Sequence, residues 1–173
     1  MSQSELDGVR VGVLTVSDRV AAGTRDDAGG SALCELLERA GAELVSRAVV
    51  PDEREPITGA LRAMAGDVDV VLTTGGTGLG PRDVTPEATR AVLDREAPGI
   101  TEALRAASLA ITPFAMLSRA TAGLAGATLV VNLPGNPKAV REEWAVLVPV
   151  LAHAVETARG PVPDESHRHP PDA

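Results

Sequence analysis

The chain is 173 residues long, 44% hydrophobic and 23% charged, the composition of an ordinary globular domain and not of a disordered or fibrous chain. Its formal net charge is −8 and its only aromatic residues are Phe114 and Trp144, so it lacks both the basic footprint and the stacking platforms that nucleic-acid binding needs. No apolar run approaches the ~20 residues that span a bilayer, the start MSQSELDGVR carries no signal pattern, and Cys34 is the one cysteine. The expectation is a cytoplasmic protein without disulfides, with neither nucleic acid nor membrane as partner.

Residues 9–17 form a near-continuous β-branched apolar run, which predicts a strand buried on both faces of a parallel sheet. Residues 29–40 place Leu33, Leu36, Leu37 and Ala40 at helical spacing, and Gly41 stops them. A second strand is predicted over 43–50, ended by Pro51, and a second helix over 54–65 with Ile57, Leu61 and Met64 on one face. A third buried strand, 68–74, runs into a glycine loop at 75–80. Thr85-Pro86-Glu87 reads as a capped helix start, with Thr85 as the cap. Pro98-Gly99 then separates that helix from another over 100–110. Residues 116–122 and 128–131 read as two strands of a hairpin around a 123–126 turn. The loop 133–137 leads into a closing helix over 138–159. This alternation predicts an α/β protein, three layers with a mostly parallel sheet. The expected organisation is a short segment 1–8, one domain over 9–159, and a Pro-, Asp- and His-rich tail over 160–173 that is expected to be disordered.

Three groups of residues carry chemistry. Thr73 to Ala88 reads TTGGTGLGPRDVTPEA: a buried strand delivers glycines to the carboxyl edge of the sheet, where open α/β folds bind ligands. Glycine backbone lets N–H groups turn toward an anion and lets the anion come close. Neither a Walker loop nor GxGxxG is present. Asn132 to Val140, NLPGNPKAV, repeats the arrangement, with Asn136 placed to cap a helix, Pro137 at its first position and Lys138 in its first turn. Lys138 is the sole lysine, set where a helix dipole is already positive, so a bound phosphate would give its charge a use. Asp18, Asp52 and Asp83 follow the first, second and third strands and so converge on one rim. Beside phosphate loops such carboxylates call for a cation, and Mg²⁺ takes one or two carboxylates together with phosphate oxygens. Each of these features also has a plain structural use, as a turn, a cap or a solvated side chain.

The stretches VGVLTVSDR, TTGGTGLGPRDVTPEA, AMLSRATAGLAGATLVVNLPG and PKAV together resemble the MogA/MoaB family of molybdopterin adenylyltransferases, over roughly 9–159. The same fold occurs in the G domain of gephyrin, in MoeA and in CinA-type proteins. The resemblance implies transfer of AMP from MgATP to molybdopterin with release of pyrophosphate. It implies Mg²⁺ as cofactor, ATP as co-substrate, a homotrimer or dimer of trimers, and a molybdenum-insertion partner protein. Residue by residue, it implies Asp52 and Asp83 as catalytic acids and, with the strand-end argument, as the metal-placing pair. It adds Thr74, Gly75, Gly76, Thr77 and Gly78 of the first loop, the pair Ser118 and Arg119, and Pro134, Gly135 and Lys138 of the second. Ser17, Asp18, Arg82 and Asn136 complete the candidate substrate- and nucleotide-binding set. Asn136 departs from the pattern, since many MogA/MoaB members carry Ser there and MoeA- and CinA-like members carry Asn. A catalytically silent molybdopterin binder, a CinA-like pyridine-nucleotide hydrolase and a gephyrin-like scaffold stay open as other roles. Retention of Asp52 and Asp83 favours the enzyme.

Overall fold

Four strands lie side by side in parallel; the inner three are apolar on both faces, and the fourth, at the edge, is largely exposed. In the computed structural model, which describes residues 5–160, these are β1 (Arg10–Val16), β2 (Glu43–Val50), β3 (Val70–Thr74) and β6 (Thr128–Leu133). Two short strands, β4 (Arg95–Glu96) and β5 (Ala122–Ala125), complete a six-stranded sheet of order β2-β1-β3-β6-β5-β4. β5 runs antiparallel to β6, and β4 antiparallel to β5. The tail expected beyond Gly160 lies outside the described residues.

Period-two alternation divides the core. Val11, Val13, Val70, Leu72, Val131 and Leu133 face one layer, built by α2 (Ala28–Ala40), α5 (Pro98–Leu109) and α6 (Pro137–Arg159). Leu14, Val16, Val71 and Val130 face the other, built by α3 (Arg54–Met64) and α4 (Thr85–Arg90). The three-layer α/β/α architecture follows from that alternation. Leu6, within the segment expected to precede the domain, is fully buried in the first layer and donates its N–H to Ala40 O at 2.9 Å.

Several boundaries differ from the sequence reading. The strand expected over 116–122 is a 3₁₀ helix at Pro113–Leu117 followed by extended chain; the strand itself, β5, starts at Ala122, and the hairpin turn is tighter than expected. Pro113 sits in the first turn, and the Thr112 hydroxyl accepts the Phe114 N–H at 3.4 Å. Val84 occupies the position before α4 with no side-chain cap, and Thr85, expected as the cap, lies inside the helix with its hydroxyl turned back to Gly75 O at 2.9 Å. Pro98 and Gly99 lie inside α5, since Pro suits a helix's first turn, where its missing N–H costs nothing. Residues 18–21 form a short helix, α1 (Asp18–Ala21), capped by the Ser17 hydroxyl.

Asn132 ties the two loop-bearing strands together from within. It is fully buried, donates Nδ2 to Thr73 Oγ1 at 3.0 Å and to Thr89 Oγ1 at 2.9 Å, and accepts Thr121 N–H at 3.2 Å. Asn132→Leu is expected to destabilise the fold by about 2 kcal/mol, because the Thr121 N–H is left dry and unpaired. Urea unfolding of the two proteins checks this; equal midpoints would show that water reaches the site.

Candidate functional site

β1, β3 and β6 end at one edge of the sheet, and the segments that leave them form the walls of a cavity of about 400 Å³. The two glycine loops meet there. Gly75 N–H donates to Leu133 O at 3.2 Å and the Thr74 hydroxyl donates to Pro134 O at 2.7 Å. Gly75 has φ +99°, and a Cβ on it would stand 2.3 Å from Val16 O, so only glycine fits. Gly76, at φ +65°, would put a Cβ 3.1 Å from Asp52 Oδ1. Asn136 caps α6 as expected, its side chain accepting Lys138 N–H at 2.8 Å.

The carboxylates gather on this rim. Asp18 and Asp52 cap each other: Asp18 N–H donates to Asp52 Oδ2 at 2.7 Å, and Asp52 N–H donates to Asp18 Oδ1 at 3.0 Å. Arg82 holds Asp18 with two hydrogen bonds, at 3.0 and 2.8 Å. Those bonds, with the Asp52 backbone N–H, keep the Asp18 carboxyl below its usual range. Asp52 goes the other way: burial pushes its carboxyl up, and the charges of Asp18 and Asp83 add to the push. Asp83 Oδ2 accepts Gly80 N–H at 2.9 Å, which folds the end of the glycine loop back on itself.

Of the residues singled out from the sequence, Ser17, Asp52, Thr74, Gly75, Gly76, Asp83, Gly135 and Asn136 line the cavity. Asp18 and Arg82 pair beside it, joined to it through Asp52. Thr77 and Gly78 turn their carbonyls to Arg119, which accordingly lies behind the loop. Ser118 O accepts from Arg105, and Pro134 O accepts from Thr74. The Lys138 side chain is 80% exposed, 3.7 Å from Glu142.

The sequence reading missed the segment that leads into α2 and the helix's first residues. Arg25, Asp26, Asp27 and Gly29 line the cavity with Thr15. Asp27 caps α2 through Gly30 N–H at 2.9 Å, accepts the Thr15 hydroxyl at 2.9 Å and pairs with Arg47 at 2.8 Å. An aspartate just ahead of a helical run is a cap signal, but its partners on β1 and β2 are not legible from spacing. The cavity wall thus carries four aspartates, Asp26, Asp27, Asp52 and Asp83, against the one arginine, Arg25. An anionic ligand would enter it with a cation or through backbone N–H groups.

An α/β/α protein with paired glycine loops and carboxylates at the carboxyl edge of a parallel sheet is what these features define. The chain belongs to the family described as the probable molybdopterin binding domain, which matches residues 12–153. It is 38% identical over 156 residues to a molybdopterin adenylyltransferase of Helicobacter pylori, covering 88% of this chain and 89% of that protein. It is 41% identical to gephyrin of Dictyostelium discoideum over 84% of this chain, and 41% identical to the molybdenum cofactor synthesis protein cinnamon of Drosophila melanogaster over 87%. The matches span only 22% and 26% of those two longer proteins. Among solved structures, the molybdopterin biosynthesis enzyme MoaB of Thermus thermophilus superposes with a TM-score of 0.83 at 48% identity, over 88% of this chain and 98% of that one. A CinA protein of Thermoplasma acidophilum, at 18% identity, TM-score 0.66 and coverage of 86% and 99%, shares the fold alone.

Proposed function

We infer that this chain is a molybdopterin adenylyltransferase of molybdenum cofactor biosynthesis, transferring AMP from ATP to molybdopterin with release of pyrophosphate. The observation that carries the reading is the meeting of both glycine loops with Asp52 and Asp83 on one cavity. A terminal phosphate oxygen of molybdopterin attacks the α-phosphorus of ATP; a new P–O bond forms as the bond to pyrophosphate breaks. The nucleophile is already an anion, so no strong base is needed, and positioning with charge neutralisation carries the rate.

Gly76 and Gly135 present backbone to the phosphates, Gly75 sets the turn of the first loop against Val16, and Ser17, Thr74 and Asn136 line the same wall. Arg82 and the Lys138 side chain would supply cations to the phosphates, Arg82 by leaving Asp18 and Lys138 by leaving Glu142. Mg²⁺ fits this donor set. Among the described residues no three His, Cys, Asp or Glu side chains are gathered to hold an ion unaided. Two carboxylates completed by nucleotide oxygens are the usual Mg²⁺ arrangement. Asp52 and Asp83 would hold the ion, which supplies neutralisation of the triphosphate charge. A homotrimer or dimer of trimers would cover Phe114 and Met116, which are 76% and 63% exposed. No helix among the described residues is long and apolar enough to cross a membrane.

The test is incubation with molybdopterin, ATP and Mg²⁺, following adenylylated product and pyrophosphate. Binding of molybdopterin without product would assign the chain a silent carrier role. Lys138→Ala probes this use of the lysine. It is expected to change stability by less than about 0.5 kcal/mol, since its pairing with Glu142 is a surface one, and to weaken binding of ATP or molybdopterin. Calorimetry with each ligand checks this, and unchanged affinity for both would leave Lys138 as a partner of Glu142 only.

A further inference from the structure

Arg119 stands in the Ser-Arg pair that the resemblance places among the substrate-binding residues, yet each of its three guanidinium nitrogens donates a hydrogen bond within the protein. Nε donates to Gly78 O at 2.7 Å, one terminal nitrogen donates to Asp83 O, and the other donates to Glu87 Oε1. Its backbone N–H donates to Thr77 O at 2.8 Å. One planar fork therefore joins the glycine loop, the backbone of Asp83 and the first turn of α4. The fork is held from behind as well: Arg105 of α5 donates to Ser118 O at 3.1 Å and to Ala120 O at 3.3 Å, fixing the chain on both sides of Arg119. Glu87 Oε2 is buried without a hydrogen-bond partner. Burial pushes the Glu87 carboxyl up, and Arg119, with the Glu87 backbone N–H and the Arg90 charge, outweighs it.

We propose that Arg119 is a positioning residue that acts through Glu87, clamping Gly78 and Asp83 in their working geometry, and does not itself bind a substrate phosphate. The proposal rests on the adenylyl-transfer reading for its kinetic arm only. A phosphate contact needs a charge, which lysine keeps. A clamp on two carbonyls and a carboxylate needs the flat fork, which lysine lacks.

The experiment compares Arg119→Lys, Glu87→Gln and the double variant with wild type, by steady-state kinetics and by amide hydrogen exchange over residues 77–84. Each single variant is expected to lose about tenfold in kcat, with KM for ATP and molybdopterin moving less than about threefold, as for a displaced but not deleted group. The double variant is expected to be no worse than the poorer single, because both changes open one clamp. Exchange over 77–84 is expected to quicken at least about tenfold in all three while the rest of the sheet keeps its protection. A raised KM for molybdopterin with kcat intact, or a Glu87→Gln variant at the wild-type rate beside an impaired Arg119→Lys, would overturn the clamp. Unchanged exchange over 77–84 in every variant would overturn it too. Wild-type protein that transfers no adenylyl group would sink the function reading, and the exchange arm would still decide the clamp.

Discussion

Asp52→Asn is expected to lower adenylyl transfer by ~100-fold or more, the scale set by misplacing a reacting group, and at the same time to raise the melting temperature at neutral pH. The two effects have one cause. Asp52 stands on the cavity wall with its carboxylate partly withdrawn from water and with Asp18 and Asp83 as neighbouring negative charges. An acid whose folded pKa is raised binds protons more readily folded than unfolded, so stability falls as pH rises above the usual carboxylate value of 3.8. The asparagine keeps an oxygen to accept Asp18 N–H and removes the repelled charge. The gain in melting temperature should therefore vanish below that pH. Asp83→Asn is expected to show a comparable loss of turnover, since the ion proposed to be shared by the two carboxylates would be lost when either goes. Scanning calorimetry at pH 3.5 and 7.5, with turnover at 7.5, checks both. Full activity in either variant would remove that residue from the chemistry, and an Asp52→Asn protein less stable at pH 7.5 would show that its charge is compensated.

The second large effect concerns stability and lies away from the cavity. Glu143 of α6 is 7% exposed; burial pushes its carboxyl up to about 7, and the Ser108 hydroxyl and the Arg105 charge only partly oppose this. The Ser108 hydroxyl donates to its Oε1 at 3.1 Å, a bond that a neutral glutamine can keep. The raised pKa fixes the sign: the glutamate is neutral in the fold below about 7, and its stability cost grows from 4.5 and is complete above about 7. Glu143→Gln is expected to stabilise the protein above that pH by up to about 3 kcal/mol, and to be near-neutral at pH 4.5. Urea midpoints across pH 4.5–8.5 give the answer; parallel curves for the two proteins would mean that Glu143 ionises without penalty.

The inner parallel strands were legible because their residues are apolar on both faces, which leaves a short run such as 70–74 few places to go but the middle of a sheet. Both glycine loops were legible for a similar reason: a glycine cluster after a buried strand lands on the carboxyl edge whatever the rest of the chain does. β5 was not. Residues 116–121 are apolar enough to pass for a strand, but their conformation is set by Arg105 reaching back from α5 and Arg119 reaching across to the glycine loop. Such bonds depend on the completed fold and leave no local periodicity. Asp27 escaped notice on the same account, since Thr15 and Arg47, which give it a role, come from two different strands.

The position of β6 bears on how the chain reaches this state. It is the last strand in sequence among the described residues, yet it occupies an inner slot, with β3 on one side and β5 on the other. During synthesis the strands made earlier wait with the edge of β3 unmatched until residues 128–133 leave the ribosome and slide between it and β5. The sheet therefore closes late and from the inside, through contacts distant in sequence, which is the slow kind of assembly. A nascent chain stalled before Thr128 would present that bare edge to its neighbours, an open template for pairing with another chain.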